Sequence, residues 1–236
     1  MLVRTCLTAD GLPQEITGKE AVVVIDVLRA SSTIITAFNS GCREVIPVAS
    51  PEEALEMKKN LPKECLLGGE REALIIPGFD LGNSPQEYRP EIVRGKTLVM
   101  TTTNGTKALI LSKGAASSLI GGFLNASAVT GKLASAPEVL LACAGTKGRF
   151  SLEDFAAAGA IAHRLSIRGA KLADLTMAAC GLYLAYREKL EALLSASEHG
   201  QRIIRLGWQA DISYCGQEDL CPVVPVFQEN SLRIVI

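Results

Sequence analysis

Four acidic residues stand in short polar stretches of this chain, each beside a segment that could form a strand or a helix. They are Asp26, Glu70, Glu153 and Asp154. Carboxylates on apposed loops supply the oxygen ligands that Mg²⁺ takes together with the oxygens of a phosphate. If the fold brings these acids together, they form a site suited to metal-assisted phosphate chemistry.

A second polar feature is the segment 101–107, TTTNGTK, which follows an apolar run. Hydroxyls and an ammonium at the start of a helix favour an anion, because the first N–H groups of a helix are free to donate. We expect this turn to bind phosphate or sulfonate, with Asn104 and Gly105 bringing the backbone close and Lys107 supplying charge. The alternative is that the threonines only continue a strand and cap a helix. The spacing does not match a P-loop.

Asp26 ends a hydrophobic run, where a buried carboxylate is costly unless it has a partner. Metal coordination, nucleophilic catalysis and an ion pair with Arg29 all remain open from the sequence. Glu153 and Asp154 have a structural alternative of their own, because acids in the first turn of a helix complement its dipole.

The elements that must position these residues alternate along the chain. Continuous apolar runs predict strands over 21–27, 43–49, 95–101, 117–121 and 138–145. Capping residues and helical spacing predict helices over 31–41, 50–60, 104–114, 125–135 and 151–169, and further helices to about 206. The Gly- and Pro-rich segment 65–90 is predicted to be a long functional loop, and 223–236 a hairpin on a sheet edge.

This alternation predicts an α/β protein with three layers, in which helices cover both faces of a mixed central sheet. In such folds ligands bind beyond the carboxyl ends of the strands, so the loops there should form the site. No linker or low-complexity tract divides the chain. We therefore predict a single domain over 1–236, with 115–135 as the place where a subdivision would fall.

Composition narrows the class of protein. Lys and Arg number 24 against 25 Asp and Glu, and aromatic residues make up 5%, which argues against a nucleic-acid-binding surface. No apolar stretch approaches the roughly 20 residues of a membrane helix. Seven cysteines without a C-x-x-C pair indicate reduced thiols in a cytoplasmic protein, although Cys215 and Cys221 are close enough in sequence to form a bridge. Neither His163 nor His199 suits a zinc site, but His199 could approach the acids.

Six motifs along the chain, taken in order, resemble the 2-phosphosulfolactate phosphatase family. They are IDVLRASST, GGER, GFDLGNSP, TTTNGT, CAG.KGRFSLED..AAG and HGQR....G...DI.YC....D..PVVP, and they cover nearly the whole chain. The resemblance implies an Mg²⁺-dependent phosphatase that releases phosphate from 2-phospho-3-sulfolactate to give 3-sulfolactate, a step of coenzyme M biosynthesis. The family pattern often has a cysteine where this chain has Ala157, which argues against a thiolate nucleophile at that position.

The residues and the resemblance together predict the site. We expect catalytic roles for Asp26, Arg29 and Asp154, and metal ligation by Asp26, Glu70, Glu153 and Asp154. Asp26 is a further ligand, a base that activates water, or a nucleophile that forms an aspartyl phosphate. The residues predicted to bind the small anionic phosphoester are Ser31, Ser32, Arg71, Asn83, Ser84, Thr102, Thr103, Asn104, Gly105, Thr106, Lys107, Lys147, Arg149 and Ser151.

Other functions remain open from the sequence. The chain could act on another small phosphorylated acid, or bind anions without catalysis. Its alanine-rich helices around 155–194 could also pack against a partner, and we expect a homo-oligomer, most simply a dimer. Asp211 and Asp219 are expected only to cap turns.

Overall fold

The apolar runs of the sequence form the strands of one large mixed sheet. In the computed structural model, which describes residues 1–62 and 64–234, the sheet has eleven strands. They are β1 Leu2–Cys6, β2 Ala21–Ile25, β3 Glu44–Pro47, β4 Leu66–Arg71, β5 Leu74–Ile75, β6 Thr97–Thr101, β7 Ser117–Gly121, β8 Glu138–Cys143, β9 Lys171–Leu172, β10 Pro225–Gln228 and β11 Ser231–Ile234.

Helices connect most of these strands, and the capping residues read from the sequence start two of them. Ser50 and Ser151 each accept a hydrogen bond from the backbone N–H three residues on, at the starts of α3 and α7. Within the described residues the α-helices are α1 Leu12–Glu15, α2 Ala30–Asn39, α3 Pro51–Lys59, α4 Pro90–Val93, α5 Gly105–Leu111, α6 Ala126–Lys132, α7 Leu152–Ile167, α8 Asp174–Tyr186, α9 Leu190–Ala196, α10 Glu198–Arg205 and α11 Gln209–Cys215.

Alternate residues of the central strand β2 pack into different cores, which fixes the layering. Val23 and Ile25 contact the core that includes α6 and α7, whereas Val22 and Val24 contact the core that includes α2 and α5. A strand that buries both faces needs apolar residues at successive positions, and β2 has them. The predicted three-layer α/β/α fold with a mixed sheet is therefore confirmed.

The hairpin β10–β11 lies in the middle of the sheet. The strand order is β5-β4-β6-β3-β11-β10-β7-β2-β8-β1-β9. β10 pairs with β7 and β11 pairs with β3, both antiparallel, so the hairpin joins two groups of parallel strands. Its Val226 and Leu232 are buried. The predicted hairpin is therefore present, but the prediction that it lies at an edge of the sheet is wrong. Residues 235–236 of the predicted segment lie outside the described residues.

The two parallel groups run in opposite directions, because an antiparallel hairpin separates them. Loops that follow strands of both groups nevertheless line one cavity. A sheet of strands with right-handed twist can curl in this way. The twist across the hairpin thus brings the carboxyl ends of both groups to one cleft.

The segment 65–90 is not the long loop predicted from its glycines and prolines. It contains β4, whose residues Leu66–Gly69 pair in parallel with β6. A Cβ atom on Gly69 would lie 2.0 Å from the carbonyl oxygen of Thr101, so the glycine permits this close approach. The predicted elements also lack β1, which pairs with β8 and β9.

The sequence also predicts reduced thiols and no membrane-spanning helix. All seven cysteines carry free thiols, so Cys215 and Cys221 form no bridge. None of the helices in residues 1–62 and 64–234 combines the length and apolar character that a membrane span requires.

Candidate active site

A cavity of about 500 Å³ opens where the loops after β2, β6 and β8 meet the β4–β5 turn and the start of α10. This volume suits a small-molecule ligand. The backbone N–H of Lys147 donates to Asn104 Oδ1 at 3.1 Å, which joins the loops after β8 and β6. The predicted site residues that line this cavity are Asp26, Arg29, Glu70, Asn83, Thr102, Thr103, Asn104, Lys147 and Arg149.

Asp26 lies at the carboxyl end of β2 and is 6% exposed. One carboxylate oxygen accepts a 3.3 Å hydrogen bond from the backbone N–H of Ala30. Burial, and then the nearby charges of Glu70 and Glu153, raise the pKa of Asp26 to about 7. A carboxylate with this pKa can accept a proton near neutral pH.

Glu70 and Glu153 add negative charge beside Asp26. Glu70 accepts backbone hydrogen bonds from Ala73 at 2.7 Å and Thr103 at 2.8 Å. The Glu153 side chain is 2% exposed and makes no hydrogen bond or ion pair with the side chain or backbone of another described residue. The negative charges of Glu70 and Glu153 act on Asp26 in this buried region, so a cation bound in the cavity would offset them.

Arg29 lines the cavity, and it pairs with Asp211 instead of Asp26. Its Nη1 donates to Asp211 Oδ2 at 2.8 Å, and its Nη2 donates to the carbonyl oxygen of Ala73 at 2.8 Å. Asp211 also accepts a 2.6 Å hydrogen bond from Ser84. Two expectations are therefore corrected. Asp26 and Arg29 form no ion pair, and Asp211 is a buried partner of Arg29 and does not merely cap a turn.

Asn83 carries a buried polar atom without a partner. Its side chain lines the cavity and is 5% exposed, and its Oδ1 accepts no hydrogen bond. Leaving such an atom unsatisfied costs about 1–3 kcal/mol. The amide therefore points to a ligand, a water or a cation in the cavity.

The donor set of the cavity suits Mg²⁺. Asp26, Glu70 and the unpartnered Asn83 offer oxygen atoms to the cavity, which are the ligands of a hard cation, whereas Glu153 does not line it. No three acidic, histidine or cysteine side chains of the described chain are arranged to hold an ion on their own. A bound Mg²⁺ would thus keep water or substrate oxygens among its ligands, as this ion usually does.

Four cations line the outer part of the cavity, and their charges are more exposed to solvent than those of the buried acids. We call the buried Asp26, Arg29, Glu70 and Asn83 the floor of the cavity, and the four outer cations its rim. The rim residues are Lys147, Arg149, Arg202 and Arg205. Lys147 and Arg202 both contact the carboxylate of Glu72, and Arg149 lies 3.6 Å from the carboxylate of Glu198, which also lines the cavity. Arg205 makes no hydrogen bond or ion pair with a described residue.

His199 also lines the cavity, as the sequence allowed. Burial, together with the positive charges of Arg29 and Arg202, lowers the pKa of its imidazole, while Glu153 acts in the other direction. The ring is therefore neutral at physiological pH and offers one donor and one acceptor to the cavity.

Several hydroxyls predicted to bind substrate do not line the cavity, because they make internal hydrogen bonds. Ser31 accepts from the Asp26 backbone, and Ser32 donates to the Val27 carbonyl. The others are Ser84 with Asp211, Thr106 with Thr102, and Ser151 as the cap of α7. These side chains shape the loops of the site.

Three further predicted residues, one at the end of β4 and two in α5, line a different cavity. Arg71, Thr106 and Lys107 line a second cavity of about 390 Å³, and Lys107 pairs with Asp10. Gly105 lies against Asp26, where a Cβ atom would come within 2.8 Å of Asp26 Oδ2. The Asn-Gly pair thus admits the Asp26 carboxylate beside the start of α5.

Asp154 holds two loops of the site together without facing the cavity. Its Oδ1 accepts from the backbone N–H of Val27 at 2.8 Å, and its Oδ2 accepts from that of Gly145 at 3.1 Å. These bonds join the ends of β2 and β8. Burial and the charge of Asp26 raise its pKa well above the usual range. Its geometry indicates a positioning role.

Replacing Asp154 by asparagine is expected to destabilise the protein by about 1–3 kcal/mol, because one amide NH₂ would face a buried N–H donor. Activity should fall as the β2 and β8 loops separate. Urea unfolding and phosphate release measure the two effects. Asp174→Asn, an exposed acid in the first turn of α8, is the matched control and should stay within about 0.5 kcal/mol. Equal stability of the two variants would contradict this role.

Some cavity residues were not predicted from the sequence. Glu72, Arg202 and Arg205 line the cavity; Glu72 directly follows the GGER motif, whereas Arg202 and Arg205 come from α10, which is distant in sequence from the main acids. The only signal was the HGQR motif, which contains Arg202 and His199.

Comparison with known proteins shows what the chain is similar to. The profile described as 2-phosphosulpholactate phosphatase matches residues 6–230. A relative from Clostridium acetobutylicum named "Probable 2-phosphosulfolactate phosphatase" is 41% identical over 235 residues, covering 98% of this chain and 100% of the relative. A Thermotoga maritima protein of the same name is 49% identical over 204 residues, covering 86% of this chain and 87% of the relative. The resemblance inferred from the motifs is therefore confirmed.

Proposed function

Because the chain belongs to the 2-phosphosulpholactate phosphatase family, we propose that it hydrolyses 2-phospho-3-sulfolactate to 3-sulfolactate and phosphate. Such a substrate carries a phosphate, a sulfonate and a carboxylate on a small carbon skeleton. A protein of formal net charge -1 must bind these groups with local charges.

The separation of charge in the cavity is the observation that carries this proposal. The floor combines the acids Asp26 and Glu70 with Arg29, whereas the rim has four cations. A phosphate bridged by a divalent cation suits the floor, because the cation offsets the carboxylates. The remaining anionic groups of the substrate suit the rim.

Mg²⁺ is a proposal that rests on the oxygen donors of the floor. Asp26 and Glu70 would hold it, with Asn83 as a further oxygen donor, and the nearby charge of Glu153 would favour the cation. When bound, the ion would offset the negative charge of the phosphate oxygens. Asp154 and Glu153 are left out of this set, because neither side chain lines the cavity.

Arg29 and Asp26 have distinct roles in the proposed reaction. Arg29 is fixed by Asp211 and the Ala73 carbonyl, so its other N–H donors remain for a phosphate oxygen. The pKa of Asp26 is about 7 in the metal-free site, and a bound cation would lower it; Asp26 is the carboxylate that accepts the proton of the attacking water. The water oxygen bonds to phosphorus as the ester bond breaks, and the 3-sulfolactate oxygen leaves with the bonding electrons and takes up a proton from solvent.

Single turnover in ¹⁸O-labelled water tests the role of Asp26. Direct attack by water places the label in the released phosphate and leaves Asp26 unlabelled. An aspartyl phosphate that water cleaves at phosphorus gives the same labelling, so acid quench during turnover, which traps a phosphorylated Asp26, is measured beside it. A trapped aspartyl phosphate, or label in the Asp26 carboxylate, would contradict the base role.

Phosphate release should depend on Mg²⁺. With racemic 2-phosphosulfolactate, we expect turnover in Mg²⁺ and its loss in EDTA, because the floor acids would then repel the phosphate. Phospholactate, phosphoglycolate and p-nitrophenyl phosphate serve as comparison substrates. Turnover of another ester in preference to the sulfonated one would assign a different phosphorylated acid. No turnover of any ester would favour an anion-binding protein without catalysis.

A further inference from the structure

Glu72 lies at the mouth of the cavity, in the two-residue turn between β4 and β5. Glu72 and Ala73 have φ angles of 57° and 66°, in the left-handed region that glycine and asparagine usually occupy in such turns. Two cations of the cavity hold this turn. Arg29 donates to the Ala73 carbonyl at 2.8 Å, and Arg202 donates to the Glu72 carbonyl at 3.1 Å.

The Glu72 carboxylate receives two cations from distant parts of the chain. Lys147, in the loop between β8 and α7, contacts Glu72 Oε1 at 2.8 Å, and Arg202, in α10, contacts Oε2. All three side chains line the cavity that has Asp26 at its floor.

An arginine and a lysine that converge on one carboxylate also suit a ligand with the same charge. Arg binds planar or tetrahedral oxyanions through several N–H groups, and Lys adds a mobile positive charge. The three side chains are 36% to 54% exposed, so a ligand can compete for these contacts. Glu72 thus occupies the position of an anionic ligand group.

We propose that Lys147 and Arg202 form the subsite for the second anionic group of the ligand, its sulfonate or carboxylate, and that Glu72 fills this subsite in the free protein. The proposal rests on the proposed function for the identity of the ligand. A ligand with an anionic arm displaces Glu72, whereas a ligand with only a phosphate leaves it in place. Glu72 is therefore a specificity-determining residue.

Calorimetric binding of 3-sulfolactate and of inorganic phosphate tests this subsite without turnover. Glu72→Gln removes the competing charge, so it should tighten 3-sulfolactate binding by about tenfold and leave phosphate binding within about twofold. Arg202→Gln and Lys147→Gln should each weaken 3-sulfolactate binding by about tenfold, again with little change for phosphate. Glu91→Gln, in an exposed ion pair with Arg89 outside the cavity, controls for net charge.

Several results would overturn the proposal. One is unchanged or weaker 3-sulfolactate binding in Glu72→Gln. Another is an equal loss of affinity for 3-sulfolactate and for phosphate in Arg202→Gln. A third is no 3-sulfolactate binding in any form of the protein. Phosphate release measured in parallel separates this proposal from the catalytic one. If Glu72→Gln binds 3-sulfolactate more tightly but no form of the protein hydrolyses the ester, the subsite is supported and the phosphatase activity is rejected. If the protein hydrolyses the ester but Glu72→Gln changes neither hydrolysis nor 3-sulfolactate binding, the activity is supported and the subsite is rejected.

Discussion

Replacing Asp26 by asparagine is expected to reduce phosphate release by roughly 10²- to 10⁴-fold, the usual contribution of a positioned acid or base. The same substitution should stabilise the metal-free protein. Asp26 is buried beside Glu70 and Glu153, and its negative charge is costly in that position. Asparagine keeps the shape of the side chain and removes the charge.

The expected gain in stability depends on pH in a defined direction. The pKa of Asp26 is about 7 in the folded protein, against an ordinary value of 3.8 in the unfolded chain. Between these values the folded state binds more protons, so the free energy of unfolding falls as pH rises from about 4 to about 7. Asp26→Asn lacks this decrease. At pH 8 its free energy of unfolding should therefore exceed that of the wild type by about 3 kcal/mol.

Urea unfolding in EDTA at pH 5 and pH 8 measures this difference. Asp174→Asn, exposed on α8, should follow the wild type at both pH values. Addition of Mg²⁺ at pH 8 should stabilise the wild type more than Asp26→Asn, because the variant lacks a proposed ligand. Parallel pH profiles for the wild type and Asp26→Asn would contradict the raised pKa.

Replacing Asp211 by asparagine is expected to destabilise the protein on the order of 3 kcal/mol, because the Arg29 charge would lose its buried partner. The Arg29 and Asp211 side chains are 2% and 1% exposed, so water cannot replace the lost contact. Activity should fall by about 100-fold, since Arg29 would no longer be held toward the phosphate. Asp211 acts through Arg29 and is a positioning residue.

Two measurements distinguish this positioning role from a general loss of folding. Phosphate binding by calorimetry, at a temperature where the variant remains folded, should weaken together with kcat/KM. Asp10→Asn is the matched control, because the Asp10–Lys107 pair is about half exposed and should contribute less than about 1 kcal/mol. Full phosphate affinity in folded Asp211→Asn would contradict the role of Asp211.

The fold could be predicted where the signal was local. The run Ala21–Ile25 is apolar at every position, and Ser50 and Ser151 start helices that follow them directly. The place of the hairpin β10–β11 could not be predicted, because it depends on pairing with strands more than 100 residues away. The glycines of β4 were misleading for a related reason, since Gly69 permits contact with the neighbouring strand β6 and Gly68 permits contact with Tyr88.

The residues of the site also divide into those with a local sequence signal and those that depend on contacts between distant parts of the chain. Asp26 and Thr102 follow strands directly and Lys147 lies in the loop after β8, so a rule about strand ends identified them. The partner of Arg29 is 182 residues away along the chain, and that of Glu72 in α10 is 130 residues away. No sequence pattern encodes such pairs. Mg²⁺ binding, the homo-oligomer and a cytoplasmic location stay predictions.

The central position of the hairpin has a consequence for synthesis of the protein. Every other strand of both parallel groups precedes residues 225–234 in the chain. During translation, the two groups would therefore leave the ribosome before the segment that joins them. The cavity, which takes loops from both groups, can reach its final form only after that segment has emerged. Until then the edges of β3 and β7 remain open, and a chaperone that covers exposed strand edges would have its substrate there.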